Sequence, residues 1–214
     1  MDQKPSSMKI TAIKAQVKSE SRVSLFVDEK FFCSVDMLQL VDMRLHVGQE
    51  LTEEQAEHIK NEGNFSKAYN RAINYLAIRP RSTKEVRDYL WRKQYSPEIA
   101  DRVMERLDQK GYLQDQQFAA LWVQSRSLTK PMSRRRLSQE LSQKGIKNDA
   151  QAVALADFDE ETALRQIIEK KSRLTRYRDD RQKFIQYLAR QGFSFDLIQS
   201  CLRQFEGDLE TDFQ

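Results

Sequence analysis

The sequence is poor in cysteine, glycine and proline, and it has no long apolar run. Its 214 residues include two cysteines, six glycines and four prolines. Cys33 and Cys201 are far apart in the sequence, with no CxxC pattern and no nearby histidine pair, which argues against a disulfide framework and a structural zinc. No stretch approaches the roughly 20 uncharged residues of a membrane helix, and residues 1–10 lack the apolar segment of a secretory signal. We therefore expect a cytoplasmic protein that holds no metal and no cofactor.

The motifs of common enzyme classes are also missing. No two glycines lie closer than 15 residues, so neither GxxxxGK[ST] nor GxGxxG is present. His46 and His58 are isolated, and both cysteines fit better as small core residues than as nucleophiles. The acidic pairs Glu160-Glu161 and Asp179-Asp180 are expected at a helix N-terminus and in a loop before a helix. A metal-dependent nuclease that uses the second pair is an alternative, but the sequence favours a protein that is not an enzyme.

Charge is distributed unevenly along the chain. The 36 Lys and Arg residues nearly balance the 32 Asp and Glu residues, for a net charge of +4. Residues 66–150 nevertheless carry 18 basic and 9 acidic residues, whereas 1–65 carry 8 and 11 and 151–214 carry 10 and 12. A basic centre between acidic ends predicts a polyanionic partner, either a nucleic acid or an acidic protein surface. Alternatively, these charged residues lie on solvated helix faces and bind no partner.

The first 63 residues have the pattern of a small strand-rich module. Apolar residues alternate with other residues over 23–27 and again over 31–35, which predicts an antiparallel hairpin or a three-stranded unit. Thr52 and Gln55 have the spacing of a capping box and predict a short helix that runs towards Gly63. We therefore assign 1–63 to a small α+β module.

The rest of the chain contains an internal repeat. At an offset of 51 residues, apolar, capping and basic positions coincide: Pro80 with Pro131, Ser82 with Ser133, Val86 with Leu137, Leu90 with Leu141 and Lys93 with Lys144. A third copy follows about 47 residues later. Such periods predict stacked helical units, here three repeats of three helices over 64–113, 114–157 and 158–205, followed by an acidic tail at 206–214. The first repeat is expected to begin with its own helix at Ala68.

The repeats contain start and stop signals for their second helices. Ser82 and Ser133 follow a proline by two residues and are predicted N-caps. Gly145 and Gly192 are predicted to end the second helix of their repeats in the left-handed conformation, each followed by an apolar residue.

Basic residues concentrate at two corners of the repeats. Five lie between residues 126 and 136 without an acidic residue among them: Arg126, Lys130, Arg134, Arg135 and Arg136. The connection inside the third repeat is also basic and includes Arg173, Arg176 and Arg178. If equivalent corners present these side chains, they form one binding face for a polyanion.

The order and spacing of three motifs resemble the RecX family of recombinase regulators. The first is R-x-R-S-x-x-E-[VL]-x-x-x-L-x-x-K at 79–93, the second G-Y-[LI]-x-D-x-x-[FY]-A at 111–119, and the third I-x-x-E-L-x-x-K-G-I at 137–146 with Leu137 first. The departures are Gln94 where a helix-ending glycine is expected, Ser133 where the family often has glycine, and the divergent third repeat.

The resemblance implies a mainly α protein, with tandem three-helix repeats in an elongated, curved array after the strand-rich module. It implies a monomeric modulator that binds the RecA–single-stranded DNA filament and mostly inhibits ATP hydrolysis, strand exchange and co-protease activity in recombination, DNA repair and the SOS response. Lys93 and Lys144 match the family pattern, and the charge argument adds the basic residues named above. The alternative is a helix-turn-helix-like protein that reads duplex DNA with Arg134–Arg136.

Overall fold

The computed structural model describes residues 8–17 and 19–211. Two compact units are present: one contains the described residues up to Pro80 together with Glu85–Leu113, and the other contains Arg81–Lys84 and the described residues from Gln114 onwards. The predicted fold class is confirmed, because an antiparallel strand module precedes tandem three-helix domains. None of the helices in the described part of the chain is long and apolar enough to cross a membrane.

A four-stranded antiparallel sheet forms the N-terminal module. Its strands are β1 (Met8–Gln16), β2 (Ser19–Val27), β3 (Lys30–Asp36) and β4 (Glu50–Leu51), in the order β3-β2-β1-β4. Asp28 and Glu29 join β2 to β3, and both have positive φ, as a two-residue hairpin turn with a primed geometry requires. The short β4 adds a fourth strand to the three that the alternation predicts.

Two helices follow the hairpin, and the second is longer than predicted. The helix α1 (Met37–Asp42) follows β3 directly, and α2 (Glu53–Ile78) begins at the predicted capping box of Thr52 and Gln55. The predicted break at Gly63 is wrong, because α2 continues through this residue into the first three-helix domain. The boundary placed between residues 63 and 64 therefore falls inside a helix.

Close packing explains the glycine inside α2. A Cβ atom at Gly63 would lie 2.5 Å from the carbonyl oxygen of Ser34 in β3, so only glycine fits there without a backbone shift. The buried Arg22 guanidinium joins the same elements, because it donates to the carbonyl oxygens of Ser34 at 2.7 Å and Gly63 at 3.1 Å. The sheet and α2 are thus one packed structure.

The three-helix domains follow one another along the chain. The first consists of the end of α2 with α3 (Thr83–Arg92) and α4 (Pro97–Gln109), and the second of α5 (Asp115–Thr129), α6 (Arg134–Gln143) and α7 (Asn148–Leu155). The third contains α8 (Glu160–Ser172), α10 (Arg181–Arg190) and α11 (Phe195–Thr211), with the four-residue helix α9 (Thr175–Arg178) in the basic connection. The third repeat was predicted to end at Phe205, but α11 extends six residues further, so the acidic segment begins as helix. Residues 212–214 lie outside the described residues.

The predicted N-cap of α6 and the two predicted left-handed glycines are confirmed. Ser133 accepts a hydrogen bond from the backbone N–H of Arg136 and caps α6, while Ser82 directly precedes α3. Gly145 and Gly192 have φ of 79° and 95°, in the range that favours glycine. Gln94 takes the equivalent position in the first domain with φ of 60°, a conformation that costs a residue with a Cβ on the order of 1–2 kcal/mol.

Each module has its own small apolar core. The sheet core is formed by residues such as Ile10, Leu25, Val35 and Ile59. In the three-helix domains, the second helix places its apolar residues at i and i+4 into the core, as the pattern predicts: Val86 and Leu90, Leu137 and Leu141, and Phe184 and Leu188. Cys33 and Cys201 are buried in two of these cores, as predicted.

Candidate partner-binding surface

Two of the predicted cations in the second domain lie on one tryptophan ring. The Arg126 Cζ is 4.4 Å and the Lys144 Nζ is 4.9 Å from the centre of the Trp122 ring. Glu140 Oε2 accepts hydrogen bonds from Trp122 Nε1 at 3.0 Å and from Arg126 Nε at 2.8 Å. We call these four residues the Trp122 cluster. Its two cations and one carboxylate give it a net positive charge, and the ring contacts hold both cations in place.

Helical spacing builds this cluster. Trp122 and Arg126 are four residues apart in α5, and Glu140 and Lys144 are four residues apart in α6 and its C-cap. Residues at this spacing lie on one face of a helix, so each helix supplies a pair of neighbouring side chains. The adjacent Val123 is buried in the core of the domain. The cluster thus lies at the edge of the core, where the two helices meet.

The first domain has a related arrangement around Lys93. The repeat offset places Lys93 at the position of Lys144, Tyr89 at that of Glu140 and Tyr75 at that of Arg126. The rings of Tyr75 and Tyr89 stack 4.1 Å apart at an angle of 4°, and the Lys93 Nζ is 5.7 Å from the centre of the Tyr89 ring. In both domains, a lysine after the second helix therefore lies over an aromatic ring.

The third domain keeps the aromatic side chain but not the lysine. Gln191 occupies the position of Lys144, and Tyr187 that of Glu140. Tyr187 packs against Tyr177 with ring centres 5.0 Å apart. The lysine-on-ring arrangement is therefore a property of the first and second domains.

Arg134 has a structural role that the sequence analysis did not predict. Its guanidinium donates to the carbonyl oxygens of Leu155 at 2.5 Å and Phe158 at 2.8 Å, at the C-terminal end of α7. Its backbone N–H donates to Glu160 Oε1 at 2.9 Å. Arg134, Arg135 and Arg136 are all exposed, as the prediction of one set requires. Arg134 has an additional structural role, because its guanidinium ties α6 to the end of α7 and the segment that follows.

The N-terminus of α6 also contacts the third domain. Ser133 Oγ donates to the carbonyl oxygen of Gln191 at 2.8 Å, and an Arg136 guanidinium N–H donates to the side-chain oxygen of Gln191. Arg135 lies between these residues with an exposed side chain. Arg135 is therefore the member of the set that is best placed to meet a partner.

The other predicted cations are exposed and have different surroundings. Lys130 is the C-cap of α5, and Arg173 is the C-cap of α8. The Arg176 guanidinium lies 4.8 Å from the ring centre of Tyr177. Arg178 Nε donates to Asp179 Oδ1 at 2.8 Å, and this hydrogen bond raises the pKa of Arg178. Binding of a partner by these residues and by those above stays a prediction.

Sequence models of known families match four consecutive segments of the chain. The "Regulatory protein RecX N-terminal domain" matches residues 8–52, and the models described as the first, second and third three-helix domains of RecX match 68–107, 115–155 and 159–202. The order of the matches is the order of the modules in the structure.

Known proteins that match most of the chain belong to the same family. The "Regulatory protein RecX" of Bacillus subtilis (strain 168) is 35% identical over 209 residues, which cover 95% of this chain and 79% of the relative. That of Listeria monocytogenes serovar 1/2a is 30% identical over 210 residues, 95% of this chain and 78% of the relative. The chain belongs to the RecX family.

Solved RecX structures have a similar fold. A crystal structure of regulatory protein RecX matches with a TM-score of 0.71 and 27% identity, over 90% of this chain and 99% of that one. The structure of RecX from Lactobacillus salivarius matches with a TM-score of 0.58 and 26% identity, over 67% and 97%. The first RecX three-helix domain therefore has its counterpart here in the second half of α2 and in α3 and α4.

The acidic pairs of this RecX family member have the structural positions predicted for them. Asp180 accepts from the backbone N–H of Lys183 and caps α10, and Asp179 pairs with Arg178. Glu160 and Glu161 lie in the first turn of α8. Among residues 8–17 and 19–211, no group of three or more His, Cys, Asp and Glu side chains is placed to hold a metal ion.

Burial favours the protonated form of both cysteine thiols. Burial raises the pKa of Cys33 to about 11, and burial likewise raises the pKa of Cys201. Because the thiolate is the reactive form of cysteine, neither residue has the environment of a nucleophile. Both therefore act as small core residues, as predicted.

Sequence reasoning missed the partners of the cations. The pattern did not identify Trp122, Tyr75 and Tyr89, and it identified Glu140 only as a family match, although each of the four contacts a predicted cation or the ring that a predicted cation contacts. The signal was present in the spacing of four residues from Trp122 to Arg126 and from Tyr89 to Lys93. Which helix faces which could not be inferred from spacing alone.

Proposed function

We propose that this chain is a non-enzymatic regulator that binds the RecA–single-stranded DNA filament and mostly inhibits its ATPase, strand exchange and co-protease activities. It acts in the cytoplasm as a monomer, in recombination and DNA repair. Membership of the RecX family is the observation that carries this proposal. The net charge of +9 on residues 66–150 supports it, because both phosphates and acidic protein surfaces attract such a segment.

The geometry of the cations supports a binding role. Arg126 and Lys144 lie on Trp122, and Lys93 lies over Tyr89, so these side chains keep fewer rotamers than free surface lysines and arginines. A pre-ordered side chain loses less conformational entropy on binding, on the order of 0.5–1.5 kcal/mol for each side chain that is already fixed. The aromatic contacts thus favour binding without adding a contact to the partner.

A protein that reads duplex DNA is the second candidate, because a three-helix unit with a basic helix fits a major groove. It requires the Arg134–Arg136 segment to reach base edges. The contacts of Arg134 with the carbonyl oxygens of Leu155 and Phe158 argue against this, since they use one N–H of each terminal guanidinium nitrogen and hold the side chain against α7. The observations therefore favour the filament.

A binding competition separates the two candidates. The fluorescently labelled chain is titrated with RecA–single-stranded DNA filaments and, separately, with duplex DNA of mixed sequence, and anisotropy is measured at one salt concentration. The filament regulator binds the filament more tightly, by at least about tenfold, which corresponds to about 1.4 kcal/mol. Tighter, sequence-selective binding to naked duplex would replace our proposal with the second candidate.

Two lysines provide a matched test of the surface. We expect Lys93→Ala and Lys144→Ala to weaken filament binding several-fold, because each removes a positive charge that is held in place. Lys110→Ala is the control, since Lys110 is also a C-cap residue before a left-handed glycine, Gly111, and is exposed. Equal affinities of all three variants and the original chain would show that the partner binds elsewhere.

A further inference from the structure

The third domain contains a cavity beside Arg173 and Arg178, two cations of the predicted binding face. It has a volume of about 450 Å³ and lies between the end of α8, α9, the start of α10 and α11. Its floor is apolar and is formed by Tyr177, Phe184, Leu202 and Phe205. These four residues belong to the core cluster of the domain or pack against it. The cavity therefore borders the apolar core of this domain.

The aromatic rings in the floor are already packed against other groups. The rings of Tyr177 and Phe184 lie 5.1 Å apart at 25°, and Tyr187 lies 5.0 Å from Tyr177. The Arg176 guanidinium is a further neighbour of the Tyr177 ring. Tyr177 is 8% exposed and Phe184 is 3% exposed. A nucleobase needs an open ring face for stacking. This floor instead suits an apolar side chain that fills a pocket.

Three arginines lie on the rim. Arg178 pairs with Asp179 at 2.8 Å, and Arg181 pairs with Glu206 at 3.0 Å, with about half or more of each of the four side chains exposed. Exposed ion pairs contribute only about 0–1 kcal/mol, so a carboxylate of a partner can replace the internal one at small cost. Arg173 is exposed and has no ion-pair partner within 4 Å among the residues that the structure describes.

We propose that this cavity binds an acidic peptide segment of a protein partner, which inserts one aromatic or large aliphatic side chain. The side chain lies on the apolar floor, and the flanking carboxylates pair with Arg173 and Arg178. Glu169 and Glu206 also line the cavity and repel carboxylates on their side, which fixes the direction of the peptide. The proposal does not depend on RecA, because it follows from the shape and charge of the third domain.

A short fluorescein-labelled peptide with one central phenylalanine between aspartates is the probe. We expect saturable binding to the full chain in an anisotropy titration. Arg173→Glu reverses a rim charge and Ser172→Phe fills the cavity from its edge, and each should weaken binding by at least about tenfold. Arg203→Glu is the matched control, since Arg203 is exposed on α11 and does not line the cavity. Circular dichroism checks that each variant is folded.

Two further probes decide the chemistry. The same peptide with alanine in place of phenylalanine should bind at least about tenfold more weakly, because it loses the apolar anchor. An oligothymidylate should not compete for the cavity. Absence of saturable peptide binding, equal binding of the alanine peptide, or full affinity in both folded cavity variants would each overturn the proposal. Competition by the oligothymidylate that both cavity substitutions abolish would also overturn it, in favour of a nucleic-acid site.

Discussion

Ser133 and Gly192 are in close contact at the junction of the second and third three-helix domains. A Cβ atom added at Gly192 would lie 2.5 Å from Ser133 Oγ, which itself donates to the carbonyl oxygen of the preceding Gln191. Gly192 also has a φ of 95°. Glycine is therefore required at this position twice, once for its backbone conformation and once for the approach of Ser133.

We expect Gly192→Ala to lower the free energy of unfolding by more than the conformational penalty alone. The positive φ costs about 1–2 kcal/mol, and the contact with Ser133 adds to this. Gly48→Ala is the control, because Gly48 has a φ of 93° and no atom within 4 Å of an added Cβ. Urea unfolding of the three proteins measures the difference. Equal losses of unfolding free energy in the two variants would show that Ser133 moves aside from an added Cβ at Gly192 without a loss of stability.

Gly63→Ala should also destabilise the protein, against the usual preference of helices. Alanine is ordinarily better than glycine inside a helix by about 1 kcal/mol. Here the added methyl group meets the carbonyl oxygen of Ser34 at 2.5 Å, and overpacking of this kind costs about 1–3 kcal/mol. Thermal unfolding measures the change, with Asn64→Ala in the same helix as the control. A stabilised Gly63→Ala protein would contradict the close packing of α2 on β3.

Neighbouring arginines at the start of α6 should have different effects on stability. Arg134→Ala removes the guanidinium hydrogen bonds to the carbonyl oxygens of Leu155 and Phe158, of which the first keeps the backbone N–H of Phe158 as a donor. We expect a loss of about 1–3 kcal/mol, because hydrogen bonds from a charged donor are among the stronger ones. Arg135→Ala should change stability by about 0.5 kcal/mol or less, because its side chain is exposed. Thermal midpoints of both variants test this. If both substitutions lowered the thermal midpoint by the same small amount, the proposed structural role of Arg134 would be contradicted.

Because Arg134 and Arg136 make contacts within the fold, Arg135 is the residue at the start of α6 whose charge can be tested by itself. Reversal of Arg134, Arg135 and Arg136 together removes contacts of the fold as well as charge, so its effect on activity has no single cause. Arg135→Glu changes charge alone, and we expect weaker filament binding with an unchanged thermal midpoint. Unaltered binding by the folded Arg135→Glu protein would place the surface away from the start of α6.

Cys33 should make stability depend on pH in the alkaline range. Burial raises its pKa from 9.0 to about 11, so the folded state holds the thiol proton more tightly than the unfolded state. The free energy of unfolding therefore falls as the pH rises through about 9 towards 11. Urea unfolding at about pH 8 and about pH 10.5 should show the original chain losing stability relative to Cys33→Ala. A constant difference between the two proteins would contradict the burial of the thiol.

Local signals in the sequence predicted much of the fold. The capping box of Thr52, the N-cap of Ser133 and the left-handed Gly145 and Gly192 are all present, because each depends on contacts within a few residues. The continuity of α2 could not be predicted in this way. A glycine at position 63 resembles a stop signal for a helix. It is required there for another reason, because the backbone of Ser34, which is distant in sequence, leaves no room for a Cβ atom.

The candidate surface was predicted in part for the same reason. The clustering of charge identified Arg126, and the family pattern identified Lys93 and Lys144, but the rings beneath them depend on how two helices pack. Arg134 was grouped with its neighbours because charge alone does not reveal which arginine caps α7. Sequence pattern therefore indicated where the cations are, and tertiary packing decides what each one does.

The central claim is that this RecX family member inhibits RecA when it binds the filament. The most direct measurement is the single-stranded-DNA-dependent ATPase of RecA, titrated with the purified chain up to a stoichiometric ratio. We predict a progressive fall in ATP hydrolysis, with a parallel loss of strand exchange, and weaker inhibition by Lys144→Ala than by Lys110→Ala. Unchanged ATP hydrolysis and strand exchange at stoichiometric amounts of the folded chain would contradict the account.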